Sequence, residues 1–361
     1  INRKHCNAGV CTHLVSAPCH HTCPIGTEAA SYVALIAHGK FQEALALNRK
    51  FNPLPSVCGR VCHHPCETRC RAGEMDDPIA VRNLKRFVSD HERHNGGPPK
   101  IKPAPRKHDE KAAVVGAGPA GLTAAWDLVQ RGYEVTVFEA EKVPGGMLSW
   151  GIPEFRLPNK ILFSEIEAIE KMGVAIKTGV KVGRDVTLDE LKQQGYKAIF
   201  LAAGAPLNLS LGIPGEDAQG VVDPIEFLKN FNLEGKARIG EKVAVVGGGN
   251  TAVDAARTAR RLGAEVTILY RRTREEMPAI PDEVEEALKE GVKIEFLTLP
   301  VEVIKKGRNV KAVRCRRMKL GKFDKSGRRT PEAQEGSEIV IKVDTLIPAI
   351  GQQPDLSFLK G

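Results

Sequence analysis

Two stretches of this chain share one pattern, and that pattern decides the fold class. "AAVVGAGPAGLTAAWDLVQRGYEVTVFEA" begins at Ala112 and "KVAVVGGGNTAVDAARTARRLGAEVTILYRR" begins at Lys242. Each reads as an apolar strand, a glycine turn, an amphipathic helix and a second apolar strand. Parallel strands joined by a helix need a crossover, and a crossover helix covers the face of a sheet. Two such units, about 130 residues apart, give an α/β chain with two Rossmann-like dinucleotide-binding domains.

In the first unit the turn glycines are Gly116, Gly118 and Gly121. The first permits the sharp turn, the second lets backbone approach a pyrophosphate, and the third lets helix and strand pack closely. The helix N-terminus then offers its N–H groups to the phosphates. Glu139 ends the second strand, 23 residues past Gly116, where a carboxylate can accept hydrogen bonds from a ribose diol. The second unit has Gly247, Gly249 and Ala252, and Arg271 and Arg272 stand where the first unit has its acid. Arginines there suit a 2′-phosphate, which a carboxylate would repel. The arginine-ended unit therefore reads as an NADP(H) site and the acid-ended one as an FAD site. Gly145 and Gly146 follow Glu139 in "VPGGML", and paired glycines let backbone lie close to a flavin.

The N-terminal quarter is different in kind. Of nine cysteines, eight fall within the first 70 residues and only Cys315 lies beyond. "CGRVCHHPCETRC" spaces four of them at every fourth position, but Gly59 and Pro65 break the run, so one helical stripe is not expected. Disulfides belong to small secreted domains; a 361-residue chain without a signal-peptide pattern or a spanning apolar stretch points to a thiol-bound metal module in a reducing, cytoplasmic setting. The net charge of +9 is scattered and only 5% of residues are aromatic, which argues against a nucleic-acid partner. The chain opens on Ile1, which fits a trimmed chain or part of a longer polypeptide.

Along the chain, residues 1–95 read as a helical, Cys/His-rich domain with two helices broken near Gly39. Residues 96–111 read as a Pro/Gly/Lys-rich linker, 112–235 as the first part of the FAD domain, 236–343 as the NADP(H) domain, and 344–361 as the start of a return. "YKAIFLAAGA" reads as a buried strand, residues 322–338 as an exposed loop, and "IVIKVDTLIPAIG" as one strand ending in glycine.

With these motifs in view, the chain resembles the small subunit of NADPH-dependent glutamate synthase. Related proteins are the flavin half of dihydropyrimidine dehydrogenase and the large subunit of ferredoxin-dependent NADP transhydrogenase. The carrying stretches are "NPLPSVCGRVC", "GAGPAGL", "PGGMLSWGIPEFRLP", "GGGNTAVDAAR", "YRRTREEMPA" and "DTLIPAIGQQPD". The resemblance implies an N-terminal helical iron–sulfur domain holding one or two 4Fe–4S clusters, then FAD and NADP(H) on successive sheets. It adds Pro119, Ala120, Met147, Leu148 and Arg156 to the flavin site and Asn250 and Thr251 to the nicotinamide dinucleotide site. It places Ala203-Gly204 and Ala349 to Gly351 at strand ends that cross between the domains. It implies Cys19, Cys23, Cys62, Cys66 and Cys70 as cluster ligands, with Cys6 and Cys11 completing the set.

The sequence departs from its relatives in three places. Relatives begin C-x2-C-x4-C-x3-C-P, whereas here the spacing is Cys6-x4-Cys11-x7-Cys19-x3-Cys23-Pro24. Lys85 stands where relatives carry a Gln or Glu ligand, and Cys58 matches a cysteine that relatives do not use; it is one candidate for the missing ligand. "KHCNAGVC" resembles a segment of the NADH-binding subunit of electron-bifurcating hydrogenases, and formate dehydrogenases use modules of the same type. That leaves a fusion open, with Cys6 and Cys11 on zinc and a histidine. The absence of any C-x2-C pair argues against zinc for the whole set. The family's FAD domain is completed by a later return, so here it is expected to be truncated.

The implied chemistry is hydride transfer between nicotinamide and flavin, then single electrons through a cluster to a partner subunit or fused domain. Such transfer requires no general acid or base, so no catalytic side chain is assigned. A disulfide reductase is excluded because Cys315 has no partner cysteine past Cys70. The alternative is a cluster-bearing scaffold that has lost its flavin.

Overall fold

The computed structural model describes residues 17–97 and 101–359. They form two compact units, one of residues 17–97, 101–145 and 155–202 and the other of 146–154 with 203–359. Among the described residues no helix is long and apolar enough to cross a membrane.

The first unit begins with α1 (Pro18–Thr22), α2 (Ala29–Ala37), α3 (Phe41–Arg49), α4 (Pro55–Val61), α5 (Pro65–Thr68) and α6 (Val81–His94). Proline opens α1, α4 and α5, where its missing N–H costs nothing. Gly39, at φ +71°, separates α2 from α3, so the break falls where the sequence places it. The cysteine run is likewise broken: Cys58 lies inside α4, Cys62 caps it, Cys66 sits on α5, and Cys70 precedes a short 3-10 turn. Tyr32 and Leu45 are fully buried with Ala44, Val81 and Val88, and Cys66 packs in the same core. The Tyr32 hydroxyl donates to the Val81 carbonyl at 3.2 Å. Gly59 lets α4 lie on α6, since a Cβ there would stand 2.8 Å from the Arg86 backbone.

Residues 101–110 run as a strap without regular structure. Ala104 N–H donates to the Met172 carbonyl and Lys107 N–H to that of Gly132, both at 2.9 Å. A four-stranded parallel sheet follows, built from β1 (Lys111–Val115), β2 (Glu134–Glu139), β3 (Ala175–Thr178) and β4 (Tyr196–Leu201) in the order β3-β2-β1-β4. Helices α7 (Pro119–Gln130), α8 (Asn159–Lys171) and α9 (Leu188–Gln193) connect it. The Thr187–Glu190 capping box starts α9. One expectation is corrected here. Among the described residues β4 is not buried: it is an edge strand paired only with β1, and Phe200 and Leu201 are 46% and 43% exposed.

Helix α4 joins the sheet domain through one buried carboxylate. Glu165 of α8 accepts from Ser56 N–H at 2.7 Å and Val57 N–H at 3.0 Å. These are two of the N–H groups that the start of a helix leaves without intrahelical partners.

The second unit opens with β5 (Leu207–Asn208) and α10 (Pro224–Glu234), the latter capped by Asp223 and ended by Gly235 at φ +67°. Its parallel sheet contains β6 (Lys242–Val246), β7 (Glu265–Leu269) and β8 (Lys293–Glu295). A three-stranded antiparallel sheet follows, made of β9 (Thr298–Lys306), β10 (Asn309–Phe323) and β11 (Arg329–Lys342). The chain then returns through β12 (Thr345–Pro348), and the parallel order is β12-β6-β7-β8. Helices α11 (Asn250–Arg261) and α12 (Pro281–Lys289) serve that sheet. Four alanines of α11 are fully buried beside Val245 and Ile268. Phe227 and Leu228 of α10 join this second core.

Two further expectations are corrected in this unit. Residues 329–338 are strand, not loop: β11 pairs with β10, and the turn shrinks to Asp324–Arg328, where Asp324 accepts from Ser326 N–H and Arg328 N–H. "IVIKVDTLIPAIG" is two strands, not one. The Asp344 carboxylate accepts from Glu241 N–H and Lys242 N–H between them, ending β11 in one sheet and starting β12 in the other.

Candidate cofactor sites

At the first glycine turn, three features meet on Ala117. Its N–H donates to Glu139 Oε2 at 2.7 Å, and its carbonyl accepts from Gly145 N–H at 2.8 Å. Gly116, at φ +103°, makes the turn between them. Gly121 cannot carry a side chain, since a Cβ would sit 1.9 Å from the Gly116 carbonyl oxygen. At Gly118 a Cβ would meet nothing within 4 Å. The open surface lies at the start of α7, where Pro119 and Ala120 are exposed, and a phosphate placed there would face N–H donors. Glu139 is buried, and its other oxygen accepts from Glu141 N–H at 2.8 Å. The residues present therefore fit a dinucleotide diphosphate.

In the second unit, Gly146 at φ +56° leads into a helical turn, Met147–Trp150, with Leu148 and Trp150 buried and Met147 half-buried. In the first unit Arg156 is half-buried. Gly204 is exposed at φ +69° beside Ala203. Gly351 accepts at its carbonyl from Leu209 N–H at 3.0 Å, and Asn208 Nδ2 donates to the Pro348 carbonyl at 3.0 Å. Asn208 and Leu209 thus lie alongside the segment from Pro348 to Gly351.

The second glycine turn repeats the logic of the first. A Cβ on Gly247 would lie 2.2 Å from the Ala349 carbonyl oxygen, and one on Gly248 would lie 2.4 Å from the Tyr270 ring. Around Gly249 there is again open space. Ala252 is fully buried at the third position, and Thr251 is half-buried. Asn250 Oδ1 accepts from Ile280 N–H at 3.0 Å, fixing the helix start. The two arginines part company. Arg272 is buried, donating from Nε to the Arg329 carbonyl at 2.7 Å and from Nη2 to Asp324 at 2.9 Å. Arg271 is exposed. The sequence holds no signal that separates them.

Among the cysteines, Cys23 lies 3.1 Å from the Thr27 hydroxyl. Burial pushes its thiol up, but the Thr27 and Ile25 donors and the Lys85 cation outweigh this and hold it below the ordinary value. Cys66 is pushed up to about 11 by burial, then by Glu67 and the nearby Cys62 and Cys23. His64, at φ 45°, aims its N–H at the Cys62 sulfur, 3.2 Å away. Cys19 is raised by burial and has Cys70 as its cysteine neighbour. Cys23, Cys62 and Cys66 therefore share one electrostatic neighbourhood with Lys85, and Cys19, which acts with them on Tyr32 and packs against the same core, has Cys70 as its own cysteine neighbour. Cys6 and Cys11 lie outside the described residues. Among the described residues no three His, Cys, Asp or Glu converge as ligands of a single ion would. The thiolates of an iron–sulfur cube each take a different iron, so they need no such convergence. Cys315, by contrast, is fully buried and pushed up to about 12 by burial, which makes it an inert core thiol.

The sequence matches the pyridine nucleotide-disulphide oxidoreductase family over residues 110–361. The chain belongs to that family. Residues 2–97 match a second family, dihydropyrimidine dehydrogenase domain II, 4Fe-4S cluster. A 4Fe–4S domain is thus followed by the FAD- and NADP-binding domains of an oxidoreductase. The chain is 46% identical to the NADP(+)-dependent formate dehydrogenase subunit beta of Moorella thermoacetica, covering 96% of this chain and 52% of that one. It therefore spans about half that relative's length. It is 36% identical to the glutamate synthase [NADPH] small chain of Halomonas elongata, over 95% of this chain and 75% of that one. In fold it is similar to Mycobacterium tuberculosis FprA in complex with NADPH, with a TM-score of 0.60 at 22% identity, covering 68% of this chain and 71% of that one.

Proposed function

We propose that this chain is the electron-transfer module of a larger cytoplasmic oxidoreductase. It carries electrons between NADP(H), FAD and one or two 4Fe–4S clusters and exchanges them with a partner subunit or fused domain. The observation that carries this reading is the pair of glycine turns, each open at its middle glycine and different at the end of the following strand. The N–H groups of α7 face one diphosphate, and the Glu139 carboxylate, already held by Ala117 N–H and Glu141 N–H, keeps lone pairs for a ribose hydroxyl. The N–H groups of α11 face the other diphosphate, and the exposed Arg271 is the guanidinium left for a 2′-phosphate, since Arg272 is committed to the β10–β11 turn. When bound, nicotinamide and flavin supply hydride exchange, and the clusters move electrons one at a time. The chain's own part is to bind, orient and insulate them.

The test is the dinucleotide preference. Arg271→Ala is expected to weaken NADPH use by about tenfold or more while leaving NADH nearly unchanged, because one charge-assisted phosphate contact is lost. Arg272→Ala is expected to lower stability instead, through loss of its Asp324 bond. Equal loss for both nucleotides in Arg271→Ala would remove the 2′-phosphate role.

A further inference from the structure

An iron–sulfur cube takes four ligands, and the neighbourhood of Cys23, Cys62 and Cys66 supplies three thiols and a lysine. A lysine held as ammonium has three donors and no lone pair to give a metal. Cys19 adjoins these thiols but has Cys70 as its own cysteine neighbour, and of the other cysteines Cys58 is placed to be the fourth ligand. It precedes Cys62 by one helical turn at the end of α4, and Cys62 N–H donates to its carbonyl at 3.2 Å. Residues four apart share one face of a helix.

What surrounds Cys58 separates a ligand from a core thiol. Asn52 is 2% exposed, and its Oδ1 is fixed by Leu54 N–H at 3.0 Å. That orients the amide and leaves Nδ2 buried with no partner at bonding distance, and the Asn52 side chain is near enough to Cys58 to favour its thiolate. A buried N–H without an acceptor is costly, whereas a ligating thiolate would accept it. Lys85 is 7% exposed, its Nζ lies 6.0 Å from the Tyr32 ring centre, and no carboxylate pairs with it among the described residues. Its charge acts on Cys23, Cys58 and Cys66 alike. Buried lysines need anions, and the Cys23, Cys58 and Cys66 sulfurs are disposed to supply them when ionised, beside the Glu67 and Glu165 carboxylates that act on the same thiols.

We propose that Cys58 joins Cys23, Cys62 and Cys66 as the fourth thiolate of one 4Fe–4S cluster, and that Lys85 stands beside that cluster as a non-ligating cation. The inference rests on the iron–sulfur reading above. One-electron reduction adds a negative charge without a proton, so the Lys85 charge favours the reduced form and raises the potential.

The test uses the full-length protein, prepared anaerobically. The wild-type iron and sulfide content is measured first: no iron would sink the functional reading itself, separately from this one. Cys58→Ala is then expected to lose about four irons, or to convert one cluster to a three-iron form seen by EPR. Lys85→Met is expected to keep the full iron content and shift the potential of one cluster downward. Unchanged iron in Cys58→Ala would overturn the proposal, as would loss of a cluster in Lys85→Met. If Cys58→Ala fails to fold, pulsed EPR of the reduced wild type decides. A hyperfine coupling that changes on 15N-lysine labelling, with the strength of a directly bound nitrogen, would overturn the proposal. Its absence supports the all-sulfur set.

Discussion

Replacing Gly121 by alanine is expected to abolish flavin retention and to lower stability by about 3 kcal/mol or more. The new Cβ would lie 1.9 Å from the Gly116 carbonyl oxygen and 3.1 Å from Val114. Neither can retreat: Gly116 N–H is bonded to Phe138 at 2.8 Å, and Val114 is fully buried in the central strand β1. The turn must open, and with it the grip of Glu139 and Gly145 on Ala117. Gly118→Ala makes the informative contrast. Its φ of −74° suits any residue, and its Cβ would meet open space. That variant is expected to melt with the wild type yet to lose flavin, because its methyl occupies the surface a pyrophosphate needs. Thermal melting with flavin content per chain measures both effects. Equal flavin content in Gly118→Ala and the wild type would mean that the open surface is not where the dinucleotide lies.

The second large effect is expected at Glu165. Glu165→Ala leaves the Ser56 and Val57 N–H groups buried without acceptors, at a cost of about 3 kcal/mol or more for the pair. The α4 helix carries Cys58 and ends at Cys62, so the same change is expected to lower iron content. Burial pushes the Glu165 carboxyl above the ordinary carboxylate range, against the pull of the Ser56 and Val57 donors. The folded state therefore holds this proton more tightly than the unfolded chain. The stability it contributes is complete below the unfolded pKa and falls as pH rises through the folded one. Urea titrations across that acidic window are expected to show a steeper loss with rising pH in the wild type than in Glu165→Gln. A parallel pH dependence would mean that the carboxyl is not the titrating group.

The glycine turns were legible because steric exclusion leaves a mark in the letters: at Gly121, Gly247 and Gly248 any other residue collides with backbone or ring. The cysteine segment was legible for a similar reason, since prolines at 55 and 65 divide it into short helices. Glu165 was not legible. On an amphipathic helix a glutamate reads as surface, and only the arrival of α4 from more than 100 residues away makes it a buried cap. Arg271 and Arg272 carry the same letter, and the Asp324 turn that claims one of them is a long-range event. Residues 329–338 looked like loop because they are polar and include Pro331 and Gly336. They are strand because β10 supplies the pairing, while their side chains stay largely exposed. The exposed β4 shows the converse, since apolar letters encode a strand but not how many neighbours it has.

The account turns on whether this chain holds its flavin and clusters in one electron path. The most direct measurement is an anaerobic count of iron, sulfide, zinc and flavin on the full-length protein, with visible spectra before and after NADPH. The account predicts stoichiometric FAD, about four or eight irons for one cluster or two, and absorbance bleached by NADPH. Iron with zinc would assign Cys6 and Cys11 to a separate site. A protein with no flavin, and with absorbance that NADPH leaves unchanged, would contradict the account and leave a cluster-bearing scaffold.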